Sequence, residues 1–412
     1  MPLPIPAPSL LRTGFVLLLV VALAVGILWL QQRPAEAPPI RIGVLHSLTG
    51  TMAASEKPLV AAVELAIQEI NAGGGLLGRP VEIVLADGKS DWDVFASEAE
   101  RLIVQEKVSA LFACWTSACR KAVKPVVERH QHLMFYPVQY EGMEQSPHIL
   151  YTGAAPNQQI VPGTRWAMQQ FGPRAYLIGS DYIFPRTANR IIRDLLDASG
   201  GTVLAEQYLP LGSRDIDALI ADIQRRTPAV VLNTLNGDSN AAFFDALVAA
   251  GLSHLPIVSF SVAEPEMLAW GGGRLMRHYA VWNYFQSTAG PSNQHFVAAF
   301  KRQQGTDACT SDPIEASYVG VHLWANTVRD VGRTEPLHVN AAALLRQSFA
   351  GPGGITSVDA ATRHVWKRVR IGQVQADGQF SEVYASSHTI RPAPWPVYRS
   401  REEWQALIQV QP

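Results

Sequence analysis

Short apolar runs alternate with longer stretches whose apolar positions recur every three or four residues, and this alternation organises most of the chain. RIGVLHS (41–47) precedes a helical pattern over 58–72, VEIVLAD (81–87) precedes one over 91–107, and VSALFAC (108–114) opens a third unit. Strands covered on both faces read as continuous apolar runs, so the series predicts a βαβαβ unit with a parallel sheet. The alternation resumes with AYLIGS (175–180), 187–198, TVLAEQYL (202–209), 216–226, AVVLNT (229–234) and 240–250. A second parallel sheet is expected there. Beyond it, Pro291–Gln304, Pro313–Val331 and Val339–Phe349 read as helices, while Val365–Val374 and Gly378–Ala385 read as strands. A single core stops growing at about 250–300 residues. The 412 residues are therefore expected to form an α/β chain of two doubly wound, Rossmann-like lobes. Periodicity alone draws one boundary, near residue 157.

The amino terminus departs from this pattern. Gly14–Leu30 is an unbroken apolar run of 17 residues between Arg12 and Gln31, at the short end of a bilayer span and long for the core of an export signal. Ala35-Glu36-Ala37 offers a small-x-small cleavage pattern, followed by the unfavourable Pro38. Residues 1–40 are read as a signal sequence or membrane anchor with a linker, and the remainder is expected in the periplasm. No cysteine stands in the leader, so no lipid attachment is expected there. Lys plus Arg is 34 against 35 for Asp plus Glu, which gives no electrostatic case for nucleic acid. Of the cysteines 114, 119 and 309, the first two could pair, with buried free thiols the preferred reading.

Val108–Ala113 and Leu133–Tyr136 read as buried strands, so Trp115–Ser117 and Tyr136–Tyr140 fall where strand gives way to helix or loop. Ligands of open α/β sheets sit at such ends. In FACWTSACRKAV, MFYPVQYEG and YTGAAPNQQ the chain resembles the urea and short-chain-amide branch of the type I periplasmic-binding-protein superfamily, relatives of the branched-chain amino-acid receptors. The resemblance runs from about Arg41 to Trp395. It implies two lobes joined by a three-strand hinge, with 41–157 and 287–360 in the first lobe and 158–286 and 361–412 in the second. The implied function is an exported receptor that closes over urea or a short-chain amide and delivers it to an ABC permease. The alternative is a membrane-tethered sensor of the same ligands that signals to a membrane partner. No enzymatic activity and no cofactor are expected.

Urea has four N–H donors, one carbonyl acceptor and almost no apolar surface, so its cage needs oxygen acceptors and flat walls. Trp115 and Tyr136 can supply faces, Thr116, Ser117 and Tyr182 hydroxyls, Gln139 an amide, and Asp238 and Glu264 carboxylates. Most have a plainer reading beside this one. Thr116, Asp181, Asp238 and Glu264 could simply cap helices, and Tyr140 is read as packing. The amide-binding relatives carry Tyr-Met-Ser where this chain has Trp115-Thr116-Ser117, which matches their serine to Ser117, and Tyr182 matches a ligand-contacting tyrosine. They carry Thr-Pro in place of Val138-Gln139, and FYPVQYEG resembles the urea-receptor form.

Other motifs read as structural. Gly73–Gly78 spells GxGxxG but follows a helix and leads into a strand, the reverse of a dinucleotide fingerprint, so it is read as a helix stop and turn. Asp312-Pro313-Ile314-Glu315 reads as a capping box, and His130 and His132 as residues of a surface loop. No nucleophile-base motif or metal-ligand pattern is present.

Overall fold

The computed structural model describes Met1 and residues 37–409, apart from 272, 273 and 276. The apolar run Gly14–Leu30 lies outside the described residues. Among those residues no helix is long and apolar enough to cross a membrane.

The first lobe builds β1 (Ile40–His46), α1 (Ala53–Ala72), β2 (Val81–Asp87), α2 (Trp92–Val104), β3 (Leu111–Ala113), α3 (Ser117–Arg129), β4 (Met134–Tyr136) and β5 (Ile149–Tyr151). The second builds α4 (Ile160–Phe171), β6 (Arg174–Ser180), α5 (Ile183–Ala198), β7 (Thr202–Leu209), α6 (Asp217–Arg226), β8 (Val230–Thr234), α7 (Ser239–Ala249), β9 (Ile257–Ser259), α8 (Glu264–Ala269) and β10 (His278–Trp282). After α9 (Pro291–Gln304), α10 (Asp312–Val331) and α11 (Pro336–Val339), the chain adds β11 (Ser348–Gly351), β12 (Gly354–Asp359) and β13 (His364–Val365) to the first sheet. It then adds β14 (Arg370–Val374) and β15 (Phe380–Ala385) to the second sheet and ends in α12 (Arg401–Gln409).

The strand orders are β11-β12-β13-β5-β4-β3-β1-β2 and β15-β14-β10-β9-β8-β6-β7. The parallel part of each sheet therefore runs 2-1-3-4-5, with a switch point where the first strand lies beside the third. Both are mixed sheets, because the late strands pair antiparallel at one edge. In the second sheet alternate residues feed different cores. Tyr176, Ile178 and Val231 pack on one face with Trp282, whereas Leu177, Leu232, Val258 and Val281 pack on the other with Trp404. That two-sided burial is why AYLIGS and AVVLNT read as unbroken apolar runs.

Several expectations change. α1 starts at Ala53, not near Pro58, which puts Ser55 and Glu56 in its opening turns. Val339–Phe349 is not a helix: the chain passes through a short 3-10 turn at Leu344–Arg346, and from Ser348 it pairs with β12. β13 still pairs with β5 and β12, so the last change of sheet follows Val365 rather than residue 360. Asp312 and Glu315 form no capping box, since Ser311 is the N-cap; Asp312 Oδ2 accepts the Asn283 N–H at 2.9 Å and Glu315 Oε1 the Gly353 N–H at 3.3 Å. His132 is buried, its Nε2 2.8 Å from the Val108 carbonyl. The GxGxxG run does end α1: Gly75 has φ +78°, and a Cβ there would lie 2.1 Å from the Arg79 carbonyl oxygen.

Candidate functional site

The carboxyl ends of the parallel strands carry the residues singled out above, and hydrogen bonds join the ends of one sheet to those of the other. Trp115, at the end of β3, donates through Nε1 to Asn236 Oδ1 after β8 at 3.3 Å. Gln139, beyond β4, donates through Nε2 to the Phe260 carbonyl and to Ser261 Oγ after β9, both at 2.8 Å. The Asp238 N–H reaches Thr51 Oγ1 at 3.3 Å. Trp115, Thr116, Ser117, Tyr136, Gln139 and Tyr182 are all buried in this seam.

Two of the turn's details come from its own sequence. Thr116 is the N-cap of α3 and accepts the Cys119 N–H at 3.1 Å, so its hydroxyl serves the helix. Cys114 and Cys119 are joined as a disulfide, contrary to the free thiols expected, with Cα atoms 5.7 Å apart. The bond brackets the four motif positions 115–118. An odd cysteine count and a separation of five carry no signal for such a staple, whereas an oxidising compartment permits it.

The polarity of the buried hydroxyls follows from their partners. Ser117 donates its proton to Glu141 Oε2 at 2.5 Å and accepts from Arg120 Nη1 at 2.9 Å. Tyr136 donates to the Trp115 carbonyl at 2.6 Å. Both Gln139 amide protons point at acceptors of the other lobe, and its Oε1 is buried without a partner. Ser117, Tyr136 and Gln139 thus have no uncommitted donor left for a guest, and Gln139 Oε1 is the acceptor among them that has no partner.

Beneath them lies a buried ion network that sequence reasoning missed. Arg120 is fully buried, with Nη2 2.9 Å from Glu141 Oε1 and Nε 2.8 Å from Glu144 Oε1, and its guanidinium lies over the rings of Tyr136 and Tyr140. Burial works against its charge, but Glu144 and Glu141 outweigh that and hold its pKa well above the ordinary value. Glu144, which burial alone would raise, is pulled to about 2 by Arg120 and Lys121. In the sequence these charges sit in RKAV and YEGME, which look like solvated helix and loop. Burial, followed by the nearby Tyr136 and Glu141, pushes the Tyr182 hydroxyl well above its usual range, so it stays protonated and able to donate.

The remaining candidates have other surroundings. Asp238 stands at the N-cap of α7 but its side chain is exposed and makes no capping bond, so it is neither the buried acceptor nor the cap expected. Asp181 is exposed and paired with Arg186 at 2.6 Å. Glu264 is buried at the start of α8, where Oε1 accepts the Gln286 N–H at 2.8 Å and Oε2 has no partner. Burial pushes its carboxyl up to about 8 against that hydrogen bond, with Glu266 and Asp312 adding to the rise. Tyr140 packs against Tyr151 and His364, as expected. Among the described residues no cluster of His, Cys, Asp and Glu could hold a metal ion.

Known proteins match this architecture. The solute-binding protein of an ABC transporter from Rhodopseudomonas palustris HaA2, solved with p-hydroxybenzoic acid, superposes with a TM-score of 0.77 at 23% identity over 87% of this chain and 98% of its own. Leu/Ile/Val-binding protein homolog 8 of Brucella abortus (strain 2308) is 23% identical over 317 residues, 69% of this chain and 75% of that protein. A 30% match to limonene hydroxylase of Geobacillus stearothermophilus covers 117 residues, 28% of this chain and only 21% of that protein. The periplasmic binding protein domain family matches residues 40–401, nearly the whole described chain, and this protein belongs to that family.

Proposed function

We propose that the protein captures urea, or a short-chain amide, between its lobes and delivers it to an ABC permease. The carrying observation is that Ser117, Tyr136 and Gln139 have each spent their donors on the protein, while Gln139 Oε1 is a buried acceptor without a partner. A ligand that fits such a site brings hydrogen-bond donors, which urea supplies as four N–H groups. Tyr182, buried at the start of α5 in the second lobe, supplies the complementary hydroxyl donor for a single carbonyl. Carboxylate ligands, such as the p-hydroxybenzoic acid bound by the Rhodopseudomonas protein, are met by a free cation or by backbone N–H groups at a helix amino terminus. Arg120, the cation beneath this motif, is already neutralised by Glu141 and Glu144, which supports a neutral guest. Membership of a family of periplasmic binding domains accounts for the receptor role and for a periplasmic location, and asks no catalytic step of these residues.

Calorimetric titration with urea, acetamide, formamide, leucine and p-hydroxybenzoate tests the reading. Urea should bind best. Its few heavy atoms, at a ceiling of about 1.5 kcal/mol each, limit its Kd to roughly tens of micromolar. Tighter binding of leucine or p-hydroxybenzoate than of urea overturns the assignment.

A further inference from the structure

The other arm of the first lobe's switch point holds a carboxylate that the sequence reading passed over. β1 and β3 lie side by side, so the loop leaving β1 faces the Trp115–Ser117 turn across the site where an open α/β sheet binds its ligand. Because α1 starts at Ala53, Glu56 lies near its amino terminus, 1% exposed. Its Oε2 accepts the Ser47 N–H at 2.8 Å and lies 3.2 Å from His46 Nδ1. Its Oε1 is buried with no partner, and so is His46 Nε2. Residues just before it touch the second lobe: Thr51 Oγ1 accepts the Asp238 N–H, and Gly237 comes so close that a Cβ there would lie 2.9 Å from the Thr51 carbonyl oxygen.

A carboxylate held in place by two bonds to one oxygen, with the other oxygen buried and empty-handed, is built to receive a donor. We infer that Glu56 is a ligand residue: Oε1 accepts an N–H of the bound guest on the side opposite Ser117, while His46 and the Ser47 N–H fix the carboxylate. This rests on the urea reading above and names what receives the second amino group. Acetamide, which has a methyl group there, makes less use of it.

Glu56→Gln keeps the shape and removes the charge. In calorimetry the parent should prefer urea, and the variant should bind urea at least tenfold more weakly, with a fall of fivefold or more in the urea-to-acetamide affinity ratio. Unchanged urea affinity, or equal losses for both ligands together with a lower Tm, overturns the role of Glu56 while leaving the urea reading intact; failure of the parent to bind urea sinks that reading first. If the variant does not fold, a crystal structure of the parent with urea decides. A ligand nitrogen within about 3.2 Å of Glu56 Oε1 is expected, and its absence overturns the inference.

Discussion

Asp238 and Glu264 are acidic residues at matching places, each at the start of a helix that follows a parallel strand, yet only Glu264 is buried. Sequence cannot separate them, because burial there depends on how the turn is aimed. Asp238→Ala should therefore change urea affinity by less than about 0.5 kcal/mol, the usual scale for an exposed side chain without partners; a tenfold loss in calorimetry would return Asp238 to the site. Glu264 has the opposite prospect. Its folded pKa of about 8 lies above the ordinary 4.5, so the native state holds a proton that the unfolded chain releases. The resulting stability is complete below pH 4.5 and is lost as pH rises through 8. Guanidinium titrations of the parent and of Glu264→Gln should diverge between pH 5 and pH 8, the parent losing more, with a limit of about 1.4 kcal/mol per pH unit for one proton. Parallel profiles would show that Glu264 is ionised in the fold. The place of Ser117, Tyr136 and Gln139 at the strand ends was legible, because the run of apolar residues before each and a family resemblance both point there. Arg120 and Glu141 were not, since nothing in a charged run says that it folds inward.

At the scale of elements, the long parallel strands announce themselves through two-sided burial, while β5, β11 and β13 do not. β13 has two residues and β5 three, and β11 is an edge strand whose only partner is β12, so each owes its state to neighbours rather than to its own pattern. The tight turn from β3 into α3 was likewise legible as a turn but not as a cross-linked one. Cys114 adopts φ +72°, uncommon for a residue with a side chain, and the disulfide to Cys119 ties it to the first turn of the helix. Closing so short a loop is worth about 2 kcal/mol in the chain-entropy account. Replacing both cysteines by serine should lower the guanidinium midpoint by that equivalent and weaken urea binding, because the Thr116–Ser117 backbone gains freedom. Guanidinium is the denaturant of choice, since urea is the proposed ligand. An unchanged midpoint and affinity would mean the bond contributes nothing to the fold or the site.

For the molecule as a whole, the bonds from Trp115 to Asn236 and from Gln139 to Ser261 describe lobes drawn together. On the proposed function, a guest that satisfies the unpaired acceptors of the seam shifts the molecule towards that state. Small-angle scattering should show a smaller radius of gyration with saturating ligand than without, and identical profiles at proven saturation would rule out a clamp. The late strands have a consequence for how the chain is made. Both sheets wait for residues beyond 347: the first for β11–β13, the second for β14 and β15. A chain emerging amino terminus first can complete neither layer until nearly all of it is available. Such long-range pairing slows folding, and a chain whose sheets close late keeps for longer the open form that a narrow translocation channel can pass.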